Sequence, residues 1–128
     1  MPQAQKVRLL EWKMRLDILE YLAQGCPSLS PSSLPHYTPK DPSPVTTPWD
    51  LLPRFYNISE DAHVIKTIRS LLIAEKVTKE WQGRSWLRIK NAESWLNAHY
   101  VLLDGMAKDG LWVRGAGFPE AWEGKPKL

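Results

Sequence analysis

Polar side chains recur at spacings of three and four residues in the segment HVIKTIRS, which covers residues 63–70. In a helix, these spacings bring four polar residues onto one face: His63, Lys66, Thr67 and Ser70. A lysine ammonium donates hydrogen bonds to phosphate or base acceptors, and a hydroxyl group donates or accepts them. The segment therefore predicts a surface that contacts a polyanion, with an ordinary solvated helix face as the alternative.

A second group of basic and aromatic residues follows in TKEWQGRSWLRIK, residues 78–90. Residues 77–81 and 85–90 alternate between apolar and polar types, and a glycine-containing stretch separates them. This pattern predicts a β-hairpin. The hairpin would expose three basic side chains and one aromatic side chain: Lys79, Arg84, Arg88 and Trp86. Trp86 either anchors the hairpin across its strands or stacks on a base.

Residue types that perform catalysis are present, but their spacing fits no known arrangement. The lone Cys26 lies among prolines. The histidines and the later aspartates form no spaced pair on one helix face: His36, His63, His99, Asp104 and Asp109. A phosphate-binding glycine loop and a serine nucleophile motif are also missing from the sequence. We predict no catalytic residue, no metal site and no cofactor, and hence a protein that is not an enzyme.

Apolar residues recur at helical spacing from residue 6 to residue 24, which predicts a long, deeply packed helix that Gly25 terminates. The breadth of this apolar surface predicts burial on two sides, one against the chain's own core and one against a second copy. Trp12 and Tyr21 are candidates for that dimer interface. Residues 26–48 carry most of the chain's eleven prolines, so we expect an extended loop, either a surface insertion or a docking arm.

Helix start signals recur after this loop. Thr47 and Pro48 predict the cap and first position of a short helix, which Pro53 would shorten or kink. Ser59 predicts the start of a helix over residues 59–75, after a turn at Asn57. Asn91 predicts the cap of a last helix that ends before residue 110. One side of that helix carries a stripe of mostly apolar residues: Trp95, His99, Leu102, Leu103 and Met106.

The order of helix, short helix, turn, helix, hairpin and helix resembles a winged helix-turn-helix domain. DLLPRFYNIS resembles the second helix and turn of that motif, DAHVIKTIRSLLIAEKV its recognition helix, and TKEWQGRSWLRIK its wing. RLDILEYLAQG is similar to the first helix of ArsR- and MarR-like bacterial regulators. The implied fold is mainly α with a small β-hairpin (α+β), a domain over residues 1–110 with the Pro-rich insertion 26–48, and an aromatic tail over 111–128. The insertion and Pro53 depart from the family pattern.

The resemblance implies a bacterial or phage homodimeric transcription regulator that binds double-stranded DNA with helix 59–75 and wing 77–90. The implied DNA-contacting residues are His63, Lys66, Thr67, Arg69, Ser70, Lys79, Arg84, Trp86 and Arg88. The implied dimer interface contains Trp12, Tyr21, Trp95, His99 and Leu103. The alternative is a winged-helix protein-interaction factor, of phage or mobile-element type, that modulates a host nucleic-acid machine through its Pro-rich loop and exposed tryptophans.

The bulk properties set limits on these interpretations. The net charge of +3 and the pI near 9.1 permit contact with nucleic acid without requiring it. The single cysteine excludes an internal disulfide, and the sequence contains neither a spanning apolar run nor a signal peptide. We therefore expect a cytoplasmic protein without membrane contact.

Overall fold

The computed structural model of the chain describes residues 1–28, 30–40, 43–58, 62–106 and 115–123. Its α-helices are α1 (Gln3–Ala23), α2 (Leu52–Ile58), α3 (Ala62–Thr78) and α4 (Ala92–Met106), and its 3-10 turns are Pro31–His36, Pro48–Leu51, Lys79–Trp81 and Pro119–Trp122. These described ranges contain no β-strand. Two compact units form: Met1–Leu29 with Trp112–Leu128, and Ser30–Leu111. Among the described helices, none is long and apolar enough to cross a membrane.

In the first unit, α1 ends in the motif that its sequence predicts. Gly25 has a φ of 77°, which is a left-handed conformation that costs a glycine little. The Gly25 N–H donates to the Leu22 carbonyl at 2.9 Å, and the Cys26 N–H donates to the Tyr21 carbonyl at 3.1 Å. These two bonds form a Schellman motif, which satisfies carbonyl groups of the last helical turn. The prediction of a helix that Gly25 terminates is confirmed.

The predicted deep packing of α1 is wrong. Trp12 is 57% exposed and Leu16 is 52% exposed, whereas Ala23 is fully buried. Hydrogen bonds fix the tail of this unit near the C-terminal end of α1. The Glu20 carboxylate accepts from the Ala116 N–H at 3.0 and 3.1 Å, and the Trp122 indole N–H donates to the Ala116 carbonyl at 2.9 Å.

The second unit contains most of the buried apolar side chains. They come from α2, α3, α4 and the segments next to them: Leu51, Phe55, Val64, Ile68, Leu87, Trp95, Tyr100 and Leu103. α4 contacts α3, α2 and the 3-10 turns Pro31–His36 and Pro48–Leu51, so it lies at the centre of this unit. Each fully buried large side chain contributes roughly 1.5–3 kcal/mol relative to an exposed one. The second unit is therefore stabilised mainly around α4.

The β-hairpin predicted for residues 77–90 is absent, which makes the winged-helix prediction wrong. α3 continues through Thr78, whose hydroxyl donates to the Ala74 carbonyl at 2.7 Å. The 3-10 turn Lys79–Trp81 follows, and the Arg84 N–H donates to the Trp81 carbonyl at 2.9 Å. Extending a formed helix adds one hydrogen bond per residue, whereas an isolated two-stranded hairpin is marginal in water. A short alternating stretch cannot overcome that difference.

The helix starts are predicted better than the turn between them. Thr47 is the N-cap of the turn Pro48–Leu51, with proline at its first position, and the Asn91 carboxamide oxygen accepts from the Ser94 N–H at 2.8 Å. Both caps are therefore confirmed. The 3-10 geometry changes to α-helix at Leu52, next to Pro53, which lacks an N–H for the helical ladder.

The predicted turn at Asn57 is wrong, because α2 runs through Ile58. The predicted start at Ser59 lies outside the described residues, and so does the predicted domain boundary at residue 110. That boundary stays a prediction.

Candidate functional site

α4 buries polar side chains on one face and His99 on another. Asn97, His99 and Asp104 are 8%, 0% and 5% exposed. The helical spacing of 97, 100 and 104 places Asn97, Tyr100 and Asp104 on one side, and the spacing of 95, 99 and 103 places Trp95, His99 and Leu103 on another. Burying polar groups is costly unless each one has a partner, so the partners of these side chains determine what α4 can do.

The polar face of α4 holds the Pro-rich segment in place. The Asp104 carboxylate accepts from the Tyr37 hydroxyl at 2.7 Å and from the Lys40 N–H at 3.0 Å. The Lys40 ammonium donates to the Asp104 carbonyl at 3.3 Å. Burial, and then the Asp104 carboxylate, raise the pKa of Tyr37 to about 12. The tyrosine therefore stays protonated and continues to donate.

Two further residues extend this attachment. The Asn97 amide donates to the Leu34 carbonyl at 2.8 Å, and the Tyr100 hydroxyl accepts from the Val45 N–H at 3.2 Å. Backbone groups of a Pro-rich segment have few partners within the segment itself, because proline lacks an N–H. α4 supplies those partners. Residues 30–40 and 43–48 of the predicted loop thus belong to the second unit and are held against α4 through these contacts.

His99 has one hydrogen-bond partner for its two ring nitrogens. Nδ1 lies 2.8 Å from the Trp95 carbonyl, and since a carbonyl only accepts, Nδ1 carries the proton. Nε2 is then a bare lone pair, and it is buried without a partner among the described residues. Burial lowers the pKa of His99, while the bond to Trp95 and the charge of Glu75 oppose that shift. The neutral imidazole therefore presents a buried hydrogen-bond acceptor at Nε2.

An unpartnered buried nitrogen distinguishes His99 from a histidine that merely fills space. Leaving a buried acceptor unsatisfied costs about 1–3 kcal/mol. Native structures contain few such groups, and those that occur are often explained by a catalytic role or by a bound water or ion. His99 is the strongest candidate functional residue in the described part of the chain.

The residues predicted to contact DNA on α3 are mostly exposed. The Thr67 hydroxyl donates to the His63 carbonyl at 2.9 Å, and the Ser70 hydroxyl donates to the Lys66 carbonyl at 3.0 Å. Short hydroxyl side chains in helices commonly make these bonds to the preceding turn. Their hydrogens are therefore directed at the helix backbone and away from an external acceptor. Arg69 lines a groove of about 320 Å³, which α3 forms with the aromatic side chains of Trp49 and Tyr56.

The residues predicted to form the wing lie in a run of turns after α3. The Arg84 guanidinium lies 5.8 Å from the Trp81 ring centroid, and the Trp81 and Trp86 rings are 6.1 Å apart. Lys79 belongs to the adjoining 3-10 turn. Arg88 and Lys90 line an open pocket of about 330 Å³, and its other lining residues are Pro31, Ser32, Ser85 and Leu87. The turn thus clusters exposed tryptophans and basic residues without strand geometry.

The residues predicted at the dimer interface differ in how much of each side chain is exposed. Trp12 and Tyr21 are 57% and 37% exposed on α1, whereas Trp95, His99 and Leu103 on α4 are each 6% exposed or less. The α4 residues contribute to the chain's own core.

The described residues contain no group of three or more His, Cys, Asp or Glu side chains that could hold a metal ion.

Comparison with known proteins identifies the family. A sequence profile described as questin oxidase-like matches residues 1–71, which is more than half of the 128 residues. The chain belongs to the questin oxidase-like family. No solved structure matches it.

Curated fungal relatives of the questin oxidase-like chain carry oxidase names. Oxidoreductase AflY of Aspergillus parasiticus is 36% identical over 112 residues, which are 85% of this chain and 22% of the relative. Baeyer-Villiger oxidase ptaJ of Pestalotiopsis fici is 32% identical over a match that covers 96% of this chain and 29% of the relative. Questin oxidase of Aspergillus fumigatus is 29% identical over a match that covers 97% of this chain and 28% of the relative. The chain spans about a quarter of the length of these relatives.

Family membership corrects the functional predictions. The relatives are named as oxidases and oxidoreductases. The prediction of a homodimeric regulator that binds DNA is therefore wrong, and the alternative of a protein-interaction factor has no support either. The prediction that the chain is not an enzyme is wrong as well, because the family is named for an oxidase. The roles of individual residues stay predictions, but the partner for which they were chosen has no support.

The sequence patterns do not identify the most informative residues of the questin oxidase-like chain. They place His99 on a mostly apolar stripe and do not show the attachment through Tyr37 and Asp104. A usable signal was present, since Asn97, Tyr100 and Asp104 follow each other at spacings of three and four. Polar residues at that spacing within an apolar helix indicate a face that needs hydrogen-bond partners.

Proposed function

We propose that this chain contributes to an oxidoreductase that inserts one oxygen atom next to the carbonyl carbon of a ketone. The observation that supports the proposal most is the family match over residues 1–71. Relatives in two fungi carry the names Baeyer-Villiger oxidase and questin oxidase. A Baeyer-Villiger reaction converts a ketone into an ester by placing oxygen in a carbon–carbon bond.

The reaction sets requirements that the protein must meet. A ketone, one O₂, two electrons and two protons give an ester and one water, and a two-electron donor such as a reduced nicotinamide must supply the electrons. The protein's part in such chemistry is to bind, orient and protonate the reacting groups, and to exclude water. The described residues offer one buried group suited to accepting a hydrogen bond from a reacting group, which is the neutral imidazole of His99.

We assign His99 to the oxidase site on the basis of its geometry. The Trp95 carbonyl fixes the ring tautomer, so that Nε2 is available to accept a hydrogen bond from a group outside the described residues. Neutral imidazoles fixed in this way are common proton acceptors in enzymes. Asp104 and Tyr37 act on a different side of α4 and serve to hold the Pro-rich segment.

A labelled-oxygen assay tests the proposed reaction. The purified chain is incubated with a panel of cyclic ketones, a reduced nicotinamide and ¹⁸O₂, and products are analysed by mass spectrometry. An ester with one ¹⁸O atom supports the proposal. An oxidised product that takes its oxygen from water contradicts it.

A chimera separates a wrong function from an incomplete protein. In questin oxidase of Aspergillus fumigatus, this chain replaces the segment that it matches, and consumption of questin is measured. We expect the chimera to remain active and to lose activity with His99→Leu. A folded chimera without activity contradicts the proposed function. An active chimera that tolerates His99→Leu contradicts the role of His99 alone.

A further inference from the structure

α1 carries two apolar stripes instead of one. The first stripe is Val7, Leu10, Met14, Ile18 and Tyr21, and the second stripe is Leu9, Trp12, Leu16 and Leu19. Within each stripe the residues follow at spacings of three or four, which is the pattern of a helix face that packs against another helix. At about 100° per residue, the two stripes lie roughly 180° apart around the helix.

Both stripes are exposed in the structure. Their members range from 37% exposure at Tyr21 to 64% at Met14. Soluble proteins seldom expose contiguous apolar surface of this extent unless it binds something. Because each stripe is continuous over several turns of the helix, each can take a whole helix as its partner.

Charged residues fill the two strips of helix surface between the stripes. Lys13 pairs with Asp17 on one strip, and Arg15 pairs with Glu11 on the other. Each pair joins residues one helical turn apart, so the charges are neutralised within the helix. The two stripes therefore stay separate apolar surfaces, and contact with a partner depends on apolar packing more than on net charge.

We propose that α1 is an inner helix of the family fold, packed between two apolar helices that lie outside the matched part of the relatives, one on each stripe. α1 lies inside the profile match over residues 1–71, so it is an element of the family. Relatives such as AflY and ptaJ contain about three quarters of their length beyond the match, which is ample for two such helices. The proposal rests on family membership and not on the oxidase reaction.

A second copy of this chain does not fit the two stripes. In a twofold dimer, each α1 buries the same stripe against its counterpart, because such an interface uses one surface patch on both subunits. The opposite stripe would stay exposed in that dimer. Two different partner helices cover both stripes, which is the reason for assigning the occupant to the remainder of the family fold.

Co-expression tests the proposal with a defined partner. The full chain is produced together with the part of Aspergillus parasiticus AflY that lies outside its match to this chain. We expect a one-to-one complex by analytical ultracentrifugation. Substitutions in the first stripe (Leu10→Glu with Met14→Glu) and in the second (Leu9→Glu with Leu16→Glu) should each weaken binding at least about 30-fold, as at an interface hot spot.

The matched control exchanges a charged pair, Lys13→Glu with Asp17→Lys, which keeps the ion pair and both stripes. It should bind as tightly as the unchanged chain. Binding that depends on one stripe alone overturns the proposal, as does a stripe-dependent homodimer of the chain without any complex.

If the AflY remainder does not fold alone, the same substitutions are made in AflY whose matched segment is replaced by this chain. Substitutions in either stripe should lower its melting temperature by several degrees, and no shift from one of the two stripes overturns the proposal. These readouts need no turnover, so they are independent of the proposed oxidase activity.

Discussion

The imidazole of His99 is fully buried and leaves one nitrogen without a partner among the described residues. Replacing it with an apolar side chain of similar size removes the unsatisfied acceptor. We therefore expect His99→Leu to stabilise the chain by about 1 kcal/mol, after allowing for the lost bond to the Trp95 carbonyl. Urea unfolding measures this change. His99→Gln is the polar control and should not stabilise, while a destabilised His99→Leu variant would show that the nitrogen has a partner or that ring shape matters more.

The pH dependence of stability also depends on His99. Burial lowers the pKa of His99 below its ordinary value of 6.5, so the unfolded chain takes up a proton at a pH where the folded chain does not. Stability is therefore unaffected above pH 6.5 and falls as the pH decreases through 6.5 towards the folded pKa. Melting temperatures of the unchanged chain and of His99→Leu are compared between about pH 7.5 and about pH 5. The difference between the two should stay constant on the alkaline side and widen only on the acid side. A constant difference across that range would contradict a lowered pKa.

The contact between α4 and the Pro-rich segment depends on Tyr37. Tyr37→Phe removes a donor from the Asp104 carboxylate, which is only 5% exposed. We expect a loss of about 1–2 kcal/mol in the free energy of unfolding, because a buried charged acceptor loses a partner. The control is Tyr21→Phe, whose hydroxyl donates to the Pro27 carbonyl in an exposed setting, and whose loss should stay within about 0.5 kcal/mol. Equal effects in urea unfolding would show that Tyr37 does not fix the segment.

Two glycines give opposite predictions for the same substitution. Gly25 has a positive φ at the end of α1, so Gly25→Ala should destabilise by about 1 kcal/mol. Gly105 lies within α4, where an added Cβ meets no atom within 4 Å, so Gly105→Ala should stabilise by about 0.5–1 kcal/mol. Thermal unfolding of the two variants checks both signs. A stabilising Gly25→Ala would exclude the Schellman geometry at that helix end.

Helices were predictable because their signals are local. The apolar period found α1 and α4, and the caps Thr47, Asn91 and Gly25 were found from residue type and position alone. The prediction of a hairpin is wrong because alternation over a few residues also fits the last turn of a helix. The first predicted strand begins at residue 77, and α3 extends through Thr78. The spacing of Asn97, Tyr100 and Asp104 shows a helix face that needs partners, but the identity of a partner such as Tyr37, 67 residues from Asp104, leaves no mark in a local pattern.

At the scale of the whole molecule, the residue patterns of this chain do not identify its family. The chain spans 22% of AflY and 29% of ptaJ, so residues that complete an oxidase site in the relatives need not lie within it. The breadth of the apolar surface on α1 is the sequence feature that indicates contact with a partner. That breadth was interpreted as contact with a second copy, whereas two opposite stripes favour two different partner helices.

The described helices differ in how many of their residues are buried, and we expect them to differ in stability. α4 buries seven of its residues, among them Trp95 and Tyr100, whereas α1 buries only Ala23. Helices in proteins are stabilised mostly by tertiary packing of an apolar face, and α1 packs few of its side chains. Amide hydrogens of α1 should therefore exchange at least about 100-fold faster than those of α4 in the isolated chain. Hydrogen exchange read by mass spectrometry measures both helices in one sample, and the co-expressed AflY remainder should slow exchange in α1 while leaving α4 nearly unchanged. If α1 in the isolated chain were as protected as α4, its stripes would already be covered, and the two partner helices would have no surface to bind.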